Sequence, residues 1–255
     1  MRSTLAYRVH RAIRRLGYEL RRPTAGLHAA EVGLYNRVCR FTGTTPARVV
    51  GLVDAVKYVT KNRVPGSIVE CGVWRGGSIM AVAWTLLELG DTSRDIYLFD
   101  TFEGMSEPTD KDRLPDGTLA AQVLAARGRT EEGNLWAYAP LEAVKRNVLS
   151  TGYPPEKIHF VQGKVEDTLP QAAPDQIALL RLDTDWYEST RHEMIHLYPR
   201  LSPQGVLILD DYGDWEGARR AVDEYFATQP FVPLLTRMDT TGRMAIKSAV
   251  ASSPQ

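Results

Sequence analysis

Two cysteines in 255 residues, Cys39 and Cys71, are too few for a disulfide framework. Cys71 ends an apolar run, where a small buried thiol is the expectation. An excess of charge is also missing. Lysine plus arginine number 31 and aspartate plus glutamate 31, so the formal net charge is zero and no global field favours nucleic acid or a membrane surface. The expected partner is therefore a small, neutral molecule. No apolar run approaches the roughly 18–20 residues of a membrane span, and the start MRSTLAYRVHRAIRRLGYELRRP lacks the uninterrupted apolar core of a signal peptide. These absences make the cytoplasm the expected compartment. Internal repeats, linkers and low-complexity segments are missing too. What remains, 44% hydrophobic and 24% charged residues, suits one large α/β domain with a small N-terminal extension.

Two segments organise the chain. Ile177–Asp185, IALLRLDTD, and Gly205–Tyr212, GVLILDDY, are apolar runs that end in paired aspartates. Strands buried on both faces read as continuous hydrophobic runs, so both are expected as central strands of a parallel sheet. Ligands of open α/β sheets bind outside the carboxyl ends of the strands, where Asp183, Asp185, Asp210 and Asp211 would lie. Four carboxylates in one place repel unless something positive sits among them, and a hard divalent cation is the first candidate.

Upstream, Arg2, Arg8, Arg11, Arg14, Arg15, Arg21 and Arg22 alternate with Leu5, Val9, Ile13 and Leu16 at helical spacing. That predicts a basic amphipathic helix that packs on its own domain or on a sister subunit. His28–Cys39 reads as a second helix. Thr44, Thr45 and Pro46 open a third, which ends near Lys61. SIVECGVWRGG, residues 67–77, reads as a strand and a glycine-rich bend before an apolar helix. Gly72, Gly76 and Gly77 let a ligand approach the backbone and leave amides free at the helix start. The spacing is not G-x-G-x-x-G, which argues against a nicotinamide-dependent oxidoreductase. DIYLFD ends the second strand in Asp100, an acid placed to take ribose hydroxyls or to cap a helix.

Residues 104–135 form a long polar insertion, expected to be a mobile lid with a short helix near Leu119–Ala126. Ile158–Gly163 is the third strand, and Asp167 beyond it either faces a nucleobase or caps a short helix. His192 and His196 have zinc-like i,i+4 spacing, but without an H-E-x-x-H arrangement a surface or packing role is expected. Leu201–Gly205 reads as a turn, Asp214 as the cap of the following helix, and FVPLLTR with MAIKS as a terminal antiparallel hairpin.

Seven strands, the last two in a hairpin, with a glycine bend after the first and an acid ending the second, describe a class I methyltransferase Rossmann-like fold that binds S-adenosylmethionine. The methyl donor is expected between Glu70, the bend with Gly72, Trp74, Gly77 and Ser78, and Asp100, with Asp167 towards its base. The runs VECGVWRGGS, LFDTFEGM, LLRLDTDWYEST and PQGVLILDDYG resemble the macrocin O-methyltransferase family over roughly Thr44 to Lys247. This resemblance implies magnesium held by Asp183, Asp210 and Asp211, Asp185 as general base, a homo-oligomer, and methylation of a sugar hydroxyl on a macrolide or other glycosylated natural product. It divides the chain into an N-terminal helical extension, 1–43, and a methyltransferase domain, 44–255. Any vicinal oxygen pair can chelate a cation, so a catechol or phenol acceptor stays open, as does a catalytically silent nucleoside-binding protein.

Overall fold

Neighbouring residues of the central strands enter opposite layers of the molecule. In the first layer Ile68, Leu98, Leu179, Val206 and Ile208 meet Val53, Val56, Ile79 and Leu86. In the second, Val69, Phe99, Leu180, Leu207 and Leu209 meet Met194, Val222 and Phe226. The two-residue period of a strand produces this division, and each fully buried side chain contributes about 1.5–3 kcal/mol. The central strands bury both faces, which is why they read as largely apolar runs.

The computed structural model describes residues 24–125 and 136–248. The basic segment 2–22 and residues 126–135 of the expected lid lie outside them. Five strands run parallel: β1 (Ser67–Cys71), β2 (Ile96–Asp100), β3 (Ile158–Gln162), β4 (Ile177–Leu182) and β5 (Leu201–Leu209). Two more, β6 (Thr236–Arg237) and β7 (Arg243–Ile246), complete a seven-stranded sheet ordered β3-β2-β1-β4-β5-β7-β6. β7 lies antiparallel to both β5 and β6, so the expected hairpin is present at the sheet edge. This is the expected mixed sheet of the class I methyltransferase fold. Chain order reverses between β1 and β4, and their carboxyl ends frame the switch point where such sheets bind ligands.

The helices are α1 (Ala29–Val38), α2 (Pro46–Lys61), α3 (Gly77–Glu88), α4 (Ala120–Ala125), α5 (Leu141–Leu149), α6 (Val165–Thr168), α7 (Tyr187–His196) and α8 (Glu216–Ala227). α2 starts as its sequence dictates: Thr45 Oγ1 accepts the Arg48 N–H at 3.2 Å and Pro46 fills the first helical position. None of the described helices is long and apolar enough to cross a membrane.

Three expectations change. Leu201–Gly205 is not a turn before the strand but an irregularity within β5. Ile177 pairs with Leu201 and Leu179 with Val206, so β5 advances five residues where β4 advances two, and Gln204 within this stretch adopts φ 64°. Of FVPLLTR only Thr236 and Arg237 join the sheet, because Pro230 and Pro233 cannot donate to a ladder. Asp214 does not cap α8, whose N-cap is Trp215. The described part of the expected lid makes contacts with the rest of the chain. The fully buried Asp112 carboxylate accepts N–H bonds from Thr109 at 2.7 Å and from Tyr187, the first residue of α7, at 2.8 Å. Ala120 and Leu124 of α4 pack against Trp136 and Trp186, and the Trp186 indole donates to the Ser106 carbonyl at 2.9 Å.

Candidate active site

The bend after β1 is shaped by close approach. Gly72 has φ 80°, and a Cβ there would lie 1.8 Å from the Asp183 carbonyl oxygen, so the ends of β1 and β4 can meet only at glycine. Gly77 serves a similar purpose towards the N-terminal segment: its N–H donates to the Phe41 carbonyl at 2.9 Å, and a Cβ would strike the Phe41 backbone at 2.6 Å. Asp100 ties the bend to β2. One carboxylate oxygen accepts the N–H groups of Val73 at 2.7 Å and Trp74 at 2.9 Å, and the other accepts the Phe102 N–H at 2.7 Å. Burial pushes the Asp100 carboxyl up, and these amides pull it back.

A cavity of about 450 Å³ opens above these strand ends. Of the residues expected at the cofactor, Gly72, Trp74, Ser78 and Asp100 line it. Glu70, Gly77 and Asp167 do not. Glu70 points sideways along the sheet into Arg181, Gly77 is covered by Phe41, and on the single turn α6 it is Glu166 that lines the wall. Thr42, Thr44 and Arg48 also line the cavity, contributed by the segment before α2 and by α2 itself. Among the described residues the Thr44 hydroxyl and the Trp74 indole nitrogen are buried there without a hydrogen-bond partner, and such groups call for a polar ligand.

The acids of β4 and β5 converge on the opposite wall. Asp183, Asp185, Asp210 and Asp211 all line the cavity. Their first counter-charges are arginines, which the expectation of a cation alone missed. Arg181, buried in mid-strand, reaches Glu70 at 2.5 Å, Asp183 at 2.8 Å and Asp210 at 2.7 Å. Arg48 pairs with Asp210 and, through Nε, with Asp239 at 2.9 Å. A charged residue inside the apolar run LLRL was the available signal. Even so, positive charge is in short supply. Burial, opposed by Arg181 and helped by Asp210, pushes Asp183 up to about 7. Burial and neighbouring carboxylates hold Asp185 and Asp211 well above the usual carboxylate range. Glu70 is pushed up to about 8 by burial in spite of Arg181.

Asp185 is held in a defined pose. Its backbone adopts φ 67°, its N–H donates to Asp211 at 3.0 Å, and its carboxylate accepts the Trp215 indole N–H at 2.9 Å. Trp215 also walls the cavity, and Trp186 is buried behind it, edge-on at 5.0 Å. Beneath the loop the fully buried Glu193 accepts the Thr184 hydroxyl at 3.0 Å. The rings of His192 and His196 lie 4.3 Å apart on α7, tilted by 55°. Among the described residues, the group of acids able to hold a metal ion is Asp183, Asp210 and Asp211, with one ligand oxygen from each lying within 4.8 Å of the others. Three hard oxygen donors with too little positive charge around them fit a magnesium-type cation.

The macrocin-O-methyltransferase profile matches residues 19–246, reaching further upstream than Thr44. An 8-demethyl-8-(2,3-dimethoxy-alpha-L-rhamnosyl)-tetracenomycin-C 4'-O-methyltransferase from Streptomyces olivaceus is 36% identical over 195 residues, 76% of this chain and 71% of that protein. A mycinamicin III 3''-O-methyltransferase from Micromonospora griseorubida is 33% identical over 185 residues, 70% of this chain and 67% of that one. Among solved structures, the O-methyltransferase NovP superposes with a TM-score of 0.70 at 30% identity, covering 82% of this chain and 83% of that one. By fold, motifs and sequence, the chain belongs to the macrocin-O-methyltransferase family.

Proposed function

We propose that the protein is an S-adenosylmethionine- and magnesium-dependent O-methyltransferase whose acceptor is a hydroxyl of a deoxysugar, or a similar diol, on a secondary metabolite. The observation that carries this reading is one cavity with two chemically different walls. The glycine bend and its unpartnered polar groups lie on one side, and Asp185 beside the Asp183, Asp210 and Asp211 group lies on the other. The relatives named above, both of them methyltransferases by name, support it.

S-adenosylmethionine, when bound, supplies a methyl group on a sulfonium, and magnesium, when bound by Asp183, Asp210 and Asp211, lowers the pKa of a nearby hydroxyl. The chain does the rest. Asp185 accepts the hydroxyl proton, and Trp215 and the Asp211 carboxylate hold Asp185 in place for it. Burial and the neighbouring Asp183 raise the proton affinity of Asp185, and a cation held by Asp183, Asp210 and Asp211 would offset part of that rise and leave the carboxylate ionised to accept a proton. Arg181 and Arg48 fix Asp210 from two sides, so the acid group is assembled before substrate arrives. The anchored lid residues Met105, Ser106 and Leu114 line the cavity mouth and limit water there.

Methyl transfer from S-adenosylmethionine to a panel of glycosides tests this directly. Chelator should abolish turnover and magnesium restore it; full turnover in excess chelator would remove the metal from the reading, and no transfer to any glycoside, while phenols are methylated, would remove the sugar.

A further inference from the structure

Two fully buried acids take no part in the steps above, Asp112 and Glu193. Asp112 is accounted for by the N–H groups it accepts. Glu193, on the inner face of α7, has no lysine, arginine or histidine paired with it among the described residues. Its Oε1 accepts the Thr184 hydroxyl at 3.0 Å, while Oε2 finds no nitrogen or oxygen partner among the described residues. The Cys71 thiol, also fully buried, is the other polar group beside it. Burial, against the Thr184 hydrogen bond and with Glu166 and Asp183 adding to it, holds the Glu193 carboxyl well above the usual carboxylate range. An ionised carboxylate would lie here in an apolar interior without a cation, so the group keeps its proton. Glu193 is a neutral hydrogen-bonding side chain and adds nothing to the charge of the acid wall.

What it holds is the turn that carries Asp185. The Thr184 carbonyl accepts the Trp186 N–H at 2.7 Å, closing a three-residue turn with Asp185 at its centre. Asp185 has φ 67° there, a conformation that residues with a Cβ rarely adopt and that persists only where the surroundings enforce it. Two enforcing groups come from one face of α7, four residues apart. Ser189 donates to the Thr184 carbonyl at 3.3 Å, and Glu193 takes the Thr184 hydroxyl. Thr184 is thus tied to α7 through side chain and main chain alike. On the other side, the Asp183 N–H donates to the Cys71 carbonyl at 2.9 Å. Asp211 also holds the Asp185 N–H, but it belongs to the group able to take a metal ion, so that hold competes with a cation. Glu193 has no such second duty.

We propose that Glu193 is a positioning residue for methyl transfer: by holding Thr184 from behind, it keeps the Asp185 turn closed, so that the Asp183 and Asp185 carboxylates face one cavity. The hold on the turn follows from these contacts alone; its consequence for rate rests on the reading of Asp185 as the base.

The test compares the unsubstituted full chain with Glu193→Gln, Glu193→Leu and Thr184→Val. Glutamine keeps an uncharged acceptor for the Thr184 hydroxyl, leucine removes it, and valine removes the hydroxyl while keeping the shape of the side chain. Amide hydrogen exchange read by NMR gives a first result without any turnover. Exchange at Asp185 and Trp186 should be at least about tenfold faster in Glu193→Leu and Thr184→Val and within about twofold of the original in Glu193→Gln, with β4 unchanged. Equal protection in all four proteins overturns the clamp. Should Glu193→Leu fail to fold, Thr184→Val, which leaves α7 intact, carries the comparison.

In methyl transfer the leucine and valine variants should lose about 10–100-fold in kcat with the KM for S-adenosylmethionine within about twofold, and glutamine should keep the rate to within about threefold. A Glu193→Leu/Thr184→Val double variant should be no slower than the slower single variant, because both break one contact. A loss with glutamine as large as with leucine, or additive losses in the double variant, overturns the positioning role. Variants with a loosened turn and a normal rate overturn it too, and leave the methyl-transfer reading standing. An unsubstituted protein that transfers no methyl group fails that reading instead, and the exchange result still decides whether Glu193 holds the turn.

Discussion

The carboxyl ends of β2 and of β4 and β5 both carry aspartates, but the two ends differ in what surrounds the acids. Asp100 is satisfied by main-chain amides from the bend it braces. Asp183, Asp185 and Asp211 face one another across a buried gap that two arginines only partly neutralise. An acid whose donors come from its own fold is structural first. An acid whose neighbours are other acids waits for a partner from outside. The difference lies in the donors, not in the residue or its place at a strand end.

The contrast can be broken at several points. The largest effect is expected at Asp185: replacement by Asn should lower turnover by about 10²–10⁴-fold. Affinity for S-adenosylhomocysteine should change less than about twofold, and a variant of normal rate would remove Asp185 as the base. Next comes Arg181→Met, which leaves Glu70, Asp183 and Asp210 without their shared cation. Breaking such a buried network costs about 3–5 kcal/mol, readable as a lower urea midpoint. A loss under about 1 kcal/mol would mean that the acids are held by something else.

Asp100→Asn should act in the opposite sense from Asp185→Asn. Its effect falls on stability, about 1–3 kcal/mol, because charged acceptors for three amides are weakened. Turnover per folded molecule should fall less than at Asp185, and a reversal of that order would erase the distinction between the two ends.

The smallest effect is expected at Asp239, which hydrogen bonds and Arg48 hold down at about 2 although burial alone would raise it. Its folded pKa lies below the unfolded value. Its contribution is therefore present above about pH 4 and fades as pH falls towards 2, amounting to about 1 kcal/mol after allowance for solvent screening. Urea midpoints of the protein and of Asp239→Asn should differ at pH 7 and converge near pH 2; a constant gap would contradict the linkage.

The sheet was legible because buried parallel strands are mostly apolar, so IALLRL and GVLIL announced themselves, and the aspartates after them marked the mouth of the site. The glycine bend was legible as a bend. Which of its glycines face a ligand was not, because the clashes that forbid Cβ atoms at Gly72 and Gly77 come from Asp183 and Phe41, distant in sequence. Trp215 escaped notice for a similar reason. Its partner is Asp185, thirty positions upstream, and no local pattern distinguishes an indole that braces a carboxylate from one that packs.

Phe41 seats its carbonyl on the first residue of α3, and Thr42 and Thr44 beyond it line the cavity. Anyone exchanging leading segments between relatives would thus do better to splice after Lys61 than before Thr44, because the earlier junction severs a wall of the pocket from the helix that anchors it.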